Sequence, residues 1–194
     1  MKPALAAAAL MILGCGTRPP PVAVPSGAKP IELRLDHLRH LGIDVTVAGR
    51  PARAVALYAE APDYRPIGSP ARDGFEGIAA VDDAARAAVV YLRHFAQTAD
   101  PRSKQEALGL LTFVTAMEQG DGEFLNFVHP DGTPNRAAPT SRKSFSYWAA
   151  RALWAMGEAV RVLGPDDPDV DALRPTLDRV LSRLARDVER GHLV

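Results

Sequence analysis

From Val81 onward, apolar residues recur at three- and four-residue intervals: Val81, Ala84, Ala85, Ala88, Val89, Leu92 and Phe95. That spacing predicts a long helix with a broad buried face. Asp82 and Asp83 fall in its first turn, where the helix dipole stabilises each negative charge by roughly 0.3–1 kcal/mol. A second helix is predicted over 103–119, stopped by Gly120 and Gly122, and a third over 143–163, ended by Gly164-Pro165. The fourth covers 169–191. Leu173, Leu177, Val180, Leu181, Leu184 and Val188 form its expected buried stripe, with Arg179, Arg183, Arg186 and Arg190 outside. The first and third helices are apolar or aromatic around most of their circumference, whereas the fourth is two-faced. Inner and outer helices in alternation, joined as hairpins, predict an assembly of αα-hairpins.

Ahead of the helices the pattern is shorter. Leu33, Leu38 and Leu41 predict one or two helical turns. Residues 44–47 and 54–59 are β-rich runs separated by Gly49-Arg50-Pro51, which reads as a hairpin. Over 60–77 the chain carries Pro62, Pro66, Gly68, Pro70, Gly74 and Gly77, a density of backbone breakers that predicts a long loop. Residues 123–128 and the run His129-Pro130-Asp131-Gly132 read as a strand and a tight turn. The fold class is therefore mainly α, with a small N-terminal β-hairpin.

The N-terminus differs from all of this. Lys2 precedes an unbroken apolar run over 4–13, and ten residues are too few to span a bilayer but suit a signal peptide. The run ends in Ile12-Leu13-Gly14-Cys15, which resembles a bacterial lipoprotein box. That resemblance implies cleavage before Cys15 and acylation of its thiol. Gly14 supplies the small residue and Cys15 the thiol, while Leu13 is larger than the residue usual there. A buried helix with an incidental cysteine is the other reading; the chain's one cysteine standing at this spot favours the lipoprotein. Gly16 in place of an aspartate fits an outer-membrane destination in a Gram-negative cell. Residues 16–30 hold five prolines with Gly16, Ser26 and Gly27, the composition of an extended tether. The expected organisation is a signal peptide over 1–15, a tether over 16–30 and a folded domain over 31–194.

Composition narrows the function. The chain has 194 residues, 47% of them apolar, enough for one hydrophobic core. Its 23 basic and 23 acidic side chains cancel, which removes the electrostatic footprint of a nucleic-acid binder. A single cysteine excludes a disulfide framework and a cysteine-built zinc site. His37 and His40 have no third ligand at metal spacing, so no metal and no cofactor are expected. Ser141, Ser144 and Ser146 lack the strand–turn–helix context of a serine nucleophile.

Two clusters carry candidate chemistry. Glu76, Asp82 and Asp83 fall within eight positions, beside Gly74 and Gly77. Paired carboxylates are the tools of glycosidic bond cleavage, one as acid and the other as base or nucleophile. Helix capping and an Asp82–Arg86 ion pair are the plainer reading of the same residues. Adjacent aspartates on a helix point about 100° apart, so they do not share one task. On the third helix, Tyr147, Arg151, Trp154 and Glu158 share one face, with Trp148 beside them. Aromatic rings next to hydrogen-bonding groups suit sugars, which have apolar C–H faces and polar rims. Core packing around an Arg151 ion pair, to Glu158 or to an aspartate, is the alternative.

The segments Ala59-Glu60-Ala61-Pro62-Asp63-Tyr64, Glu76-Gly77-Ile78-Ala79-Ala80-Val81-Asp82-Asp83-Ala84-Ala85-Arg86-Ala87 and Arg151-Ala152-Leu153-Trp154-Ala155-Met156-Gly157 together resemble a bacterial family of six-hairpin, (α/α)6-toroid glycosidase-like proteins. Phe124-Leu125-Asn126-Phe127-Val128 with Asp131-Gly132 resembles the family's short strand and turn. The resemblance implies inner helices around a cavity that takes an oligosaccharide or polysaccharide. By position it makes Glu76, Asp82 and Asp83 the catalytic candidates. Asp63, Tyr64, Arg86, Asn126, Tyr147, Arg151 and Trp154 become the substrate-binding candidates. The run Ser144-Phe145-Ser146-Tyr147-Trp148 lacks the acidic residue that related sequences often carry there. Four long helices, where a full toroid has twelve, correspond to the family's N-terminal part, as expected either of a fragment of a longer protein or of a reduced descendant that covers its open edge by self-association. Open inner faces of such an arc imply self-association. A non-catalytic carbohydrate-binding or structural envelope lipoprotein is the alternative function.

Overall fold

A computed structural model of the chain describes residues 33–68 and 74–192. The expected signal peptide, lipoprotein box and tether lie outside the described residues. The fold is mainly α, with three two-stranded antiparallel ladders.

After a short helix, α1 (Asp36–His40), the expected hairpin forms from β1 (Gly42–Val47) and β2 (Arg50–Val55). Its register runs from Gly42 opposite Val55 to Val47 opposite Arg50. The turn is Ala48-Gly49, both at positive φ, as a two-residue hairpin turn of the I′ kind requires. Arg50 and Pro51, expected in the turn, therefore belong to β2. Pro51 is tolerated because the ladder has only two strands, so one edge of β2 needs no N–H donor. Val45, Val47, Ala52 and Ala54 are buried, and β2 lies against the second hairpin-forming helix described below.

The expected loop over 60–77 contains a small ladder of β3 (Ala59–Glu60) with β4 (Arg65–Pro66), around a cis Ala61-Pro62 bond. Next come β5 (Ala79–Ala80) and, directly from it, α2 (Val81–Thr98). Val81, Ala84, Ala85, Ala87, Ala88, Val89, Tyr91 and Leu92 are buried, so α2 is enclosed on most sides. Small alanines let its neighbours approach closely, and the helix ends on Ala99 in the left-handed conformation.

α3 (Pro101–Ala116) begins with Asp100 accepting a hydrogen bond from the Arg102 N–H at 3.1 Å and with proline in its first turn, a strong start signal. It folds back along α2. After it, β6 (Phe127–Val128) pairs with β5, Ala79 opposite Val128 and Ala80 opposite Phe127. Only these two residues of the expected strand over 123–128 form a ladder strand, although Phe124 makes further bridges to Glu118 and Ser144. The bridge to Ser144 also explains why α4 (Tyr147–Leu163) starts four residues later than expected: residue 144 exchanges backbone bonds with Phe124 at 3.1 and 3.2 Å.

The fourth predicted helix is two helices, α5 (Pro168–Asp171) and α6 (Arg174–Glu189). Pro175 has no N–H to continue a helix from the preceding turn, so the break falls just before it. The expected stripe is also corrected. Val180 and Leu173 are buried, but Leu181 and Val188 are 46% and 60% exposed. Instead, Arg179 and Arg183 turn inward. Arg179 pairs with Glu118 at 2.7 Å and Arg183 with Glu123 at 2.6 Å. Glu118 is buried at the end of α3 and needs a cation, and that demand sets the face of α6.

α2 packs chiefly against α3 and α4. Asp82 pairs with Arg151, and further along both helices Arg93 pairs with Glu158, so α2 and α4 run parallel. α3 and α6 are the return helices of two hairpins. Leu92, Leu110, Leu111, Phe113, Met117, Phe124 and Met156 fill the core between them.

Candidate functional site

The start of α2 is held by backbone. The Val81 N–H donates to the Asn126 carbonyl at 2.8 Å, and the Ile78 N–H donates to the Val128 carbonyl at 2.8 Å. A Cβ on Gly77 would collide with the Val128 carbonyl oxygen, so this position needs glycine. Neither aspartate caps the helix. The Asp82 N–H donates to Asn126 Oδ1 at 3.3 Å, so the cap comes from the strand alongside.

Neither aspartate is used in capping: at a surface patch between α2 and α4, called the mouth below, Asp82 reaches across to α4 while Asp83 stays paired along α2. Asp82 Oδ1 accepts from Arg151 Nη1, and Arg86 Nη2 stands 3.6 Å from Asp82 Oδ2. Arg86 also pairs with Asp83. The Arg151 guanidinium lies 5.4 Å from the centre of the Tyr147 ring, and that ring is half exposed. Glu76 joins from the other side: its Oε2 accepts from the Thr140 hydroxyl, and the Thr140 carbonyl accepts from Asn126 Nδ2 at 3.2 Å. Asp82, Asp83, Arg86, Arg151 and Tyr147 are thus brought together by direct contacts, whereas Glu76 is linked to them only indirectly, through Thr140, the Asn126 amide and the Asp82 N–H.

Four substrate-binding candidates do not face the mouth. Asn126 is 1% exposed, and its amide is taken up by the α2 cap and the Thr140 carbonyl. It builds the mouth without facing it, because buried amide groups need partners. Asp63 and Tyr64 sit in the β3–β4 turn against α1, where the Tyr64 ring meets His37 edge-on at 5.5 Å and its carbonyl contacts His40 Nε2 at 2.9 Å. Trp154 lies further along α4, with the Arg93 guanidinium 5.7 Å from its ring centre. Trp148 is buried and donates from its indole N–H to the Phe124 carbonyl at 3.2 Å, a core role.

The sequence reading missed what carries this arrangement. Buried Ser141 accepts from the Asn126 and Phe127 N–H groups at 3.1 and 2.8 Å and donates to the Asn135 carbonyl at 2.7 Å. Asn135 in turn donates from Nδ2 to the Glu76 carbonyl at 2.7 Å. The polar run 133–144 between two apolar segments was the only hint, and such runs are common in loops.

Chemically, the mouth offers two kinds of carboxylate. Asp82 and Asp83 are ion-paired with guanidiniums, which suits accepting hydrogen bonds and orienting a ligand. Glu76 is bonded to the neutral Thr140 hydroxyl, an arrangement compatible with proton transfer. A concavity of 470 Å³ lies elsewhere, lined by Asp44, Thr46, Arg53, Gln105 and Gly109 between the hairpin and α3, so it is separate from this mouth.

Behind Trp154, Glu158 is buried between two guanidiniums. Arg161 bonds it at 2.9 and 2.7 Å and Arg93 at 2.8 Å. Arg161 first, and then Arg93, pull its pKa down to about 2 against the opposing effect of burial. A carboxylate lowered from 4.5 binds a proton less readily when folded, so its stabilisation is present above about pH 4.5 and lost as pH falls to about 2. Both arginines are more than half exposed, which caps the effect at about 2 kcal/mol. Urea titrations from pH 5 to pH 2.5 are expected to show Glu158→Gln losing less stability than wild type; equal losses contradict this.

Among the described residues, no helix is long and apolar enough to cross a membrane and no group of three or more His, Cys, Asp or Glu could hold a metal ion. Compared with models of known protein families and with curated protein sequences, the chain matches none.

Proposed function

We propose that the chain is a cell-envelope lipoprotein whose folded domain is an arc of an (α/α) toroid that takes a carbohydrate at the mouth between α2 and α4. One observation carries this: Asp82 and Arg151, 69 positions apart and predicted from separate motifs, meet in an ion pair beside an exposed tyrosine. Parallel α2 and α4 with α3 and α6 returning behind them suit two successive hairpins of such an arc. Exposed Leu181 and Val188 leave an apolar edge that suits self-association. Lipid on Cys15 supplies the anchor, to the outer membrane in a Gram-negative cell.

In this reading Arg151, Arg86 and Tyr147 orient the sugar, with Asp82 holding the two arginines. Glu76 and Asp83 are the carboxylates for acid–base work if the bound glycan is cleaved. The second reading is binding without turnover, and the ion pairing of both aspartates favours it. Reducing-end release from a panel of bacterial and plant polysaccharides separates the two. For a hydrolase, Glu76→Gln and Asp83→Asn are expected to lower kcat about 100-fold or more with KM little changed. Unchanged turnover in both variants removes these acids from the mechanism. Calorimetric binding with no product in wild type establishes the binding reading.

A further inference from the structure

Four arginines line the exposed strip shared by α2 and α4: Arg86, Arg93, Arg151 and Arg161. Three carboxylates face them. Asp82 and Asp83 balance Arg86 and Arg151 at the mouth. Further along, Glu158 alone serves both Arg93 and Arg161, leaving one positive charge in excess at that corner.

The two arginines there are not equivalent. Arg161 is bidentate on Glu158 through Nε and Nη2, and it lies in the last turn of α4, where carbonyl ends attract a cation. Arg93 uses only its Nε on Glu158, so among the described residues its terminal Nη1/Nη2 fork has no acceptor. Glu158 and the Trp154 ring fix that fork in place, since the guanidinium stands 5.7 Å from the ring centre. A guanidinium anchored at its Nε, with its carbon 5.7 Å over an aromatic ring, has already given up part of its freedom before it binds. Its planar fork matches an oxyanion with two equivalent oxygens. Trp154 is 45% exposed beside it and offers an apolar surface for a pyranose ring.

We infer that Arg93 and Trp154 form a subsite for an acidic sugar, the Arg93 fork taking a ring carboxylate or sulfate while the indole supports the ring. This rests on the carbohydrate reading above and specifies its substrate class. Tyr147 and Trp154 are seven residues apart on α4, about 10 Å along the helix, so mouth and subsite lie within reach of one oligosaccharide. Asp82, Asp83 and Glu158 are already paired with arginines, so the strip does not repel an anion as free carboxylates would.

The test is retention of the full chain, in detergent micelles, on an array of neutral, uronate-bearing and sulfated oligosaccharides, with polyglutamate as a non-sugar anion. Wild type is expected to prefer acidic over neutral sugars by about tenfold. Arg93→Lys keeps the charge beside Glu158 but removes the fork, and it is expected to abolish that preference with an unchanged circular dichroism spectrum. Trp154→Ala, at an exposed position, is expected to weaken acidic and neutral sugars alike. Competition by free galacturonate against inorganic sulfate tells which oxyanion is taken. Equal retention of acidic and neutral sugars overturns the subsite and leaves the carbohydrate reading standing. Acid preference surviving Arg93→Lys, or polyglutamate held as well as the acidic sugars, also overturns the subsite. No sugar retained at all overturns both.

Discussion

Ser141→Ala is expected to cost about 3 kcal/mol of stability, although it removes one oxygen atom and almost no volume. The hydroxyl is fully buried and makes three bonds, accepting from the Asn126 and Phe127 N–H groups and donating to the Asn135 carbonyl. Alanine leaves those backbone groups without that partner in a site closed to water. Each such loss costs roughly 1–3 kcal/mol alone, and neighbours in one network do not add fully. For a domain of this size the melting temperature should fall by roughly 6–12 °C. A fall of less than about 2 °C would show that water or a shifted backbone replaces the hydroxyl. The same substitution loosens Asn126, which caps α2, so the orientation of Asp82 should suffer with it.

Cys15→Ser is expected to release the protein from the membrane completely. In cells fed an alkyne fatty acid, wild type should carry the label and pellet with membranes, while the variant should be unlabelled and remain in the supernatant. Each buried methylene of an acyl chain contributes about 0.8 kcal/mol, so one chain anchors marginally and a multiply acylated cysteine holds firmly. No helix among the described residues is long and apolar enough to cross a membrane in place of that anchor. Label persisting on the serine variant, or a wild type that never takes it up, contradicts the lipoprotein assignment.

Much of the helical framework was legible in the pattern of apolar positions. α2 was readable because its acidic first turn and repeating alanines and valines point to one element. The β1–β2 hairpin was readable too, but its turn was misplaced by the proline, which the open edge of a two-stranded ladder accepts. α6 shows where periodicity fails. Leu177, Leu181, Leu184 and Val188 repeat at helical spacing, yet the buried face includes Val180 and Asp187 and the inward-turned Arg179 and Arg183. What decides it is buried Glu118, just past the end of α3, which no local window contains.

The site divides in the same way. Aspartates at a helix start and an arginine with aromatics on one helical face are local patterns, and both were visible. Their meeting depends on two helices running parallel, which follows from tertiary packing. Asn126 was expected to face a ligand and instead faces the α2 backbone, because the β5–β6 ladder brings it beside four-residue-deep unsatisfied helix donors. Ser141 and Asn135 carry no periodic or compositional signature. Their importance comes from where the loop returns, and that is a long-range fact.

Amide hydrogen exchange of the full chain, with and without a saturating pool of neutral and uronate tetrasaccharides, addresses the central claim most directly. If the start of α2 and the aromatic face of α4 form one carbohydrate mouth, exchange slows together over 76–86 and over 147–154, and little elsewhere. Slowing over only one of these segments, or over the hairpin at 44–53 in their place, would contradict it.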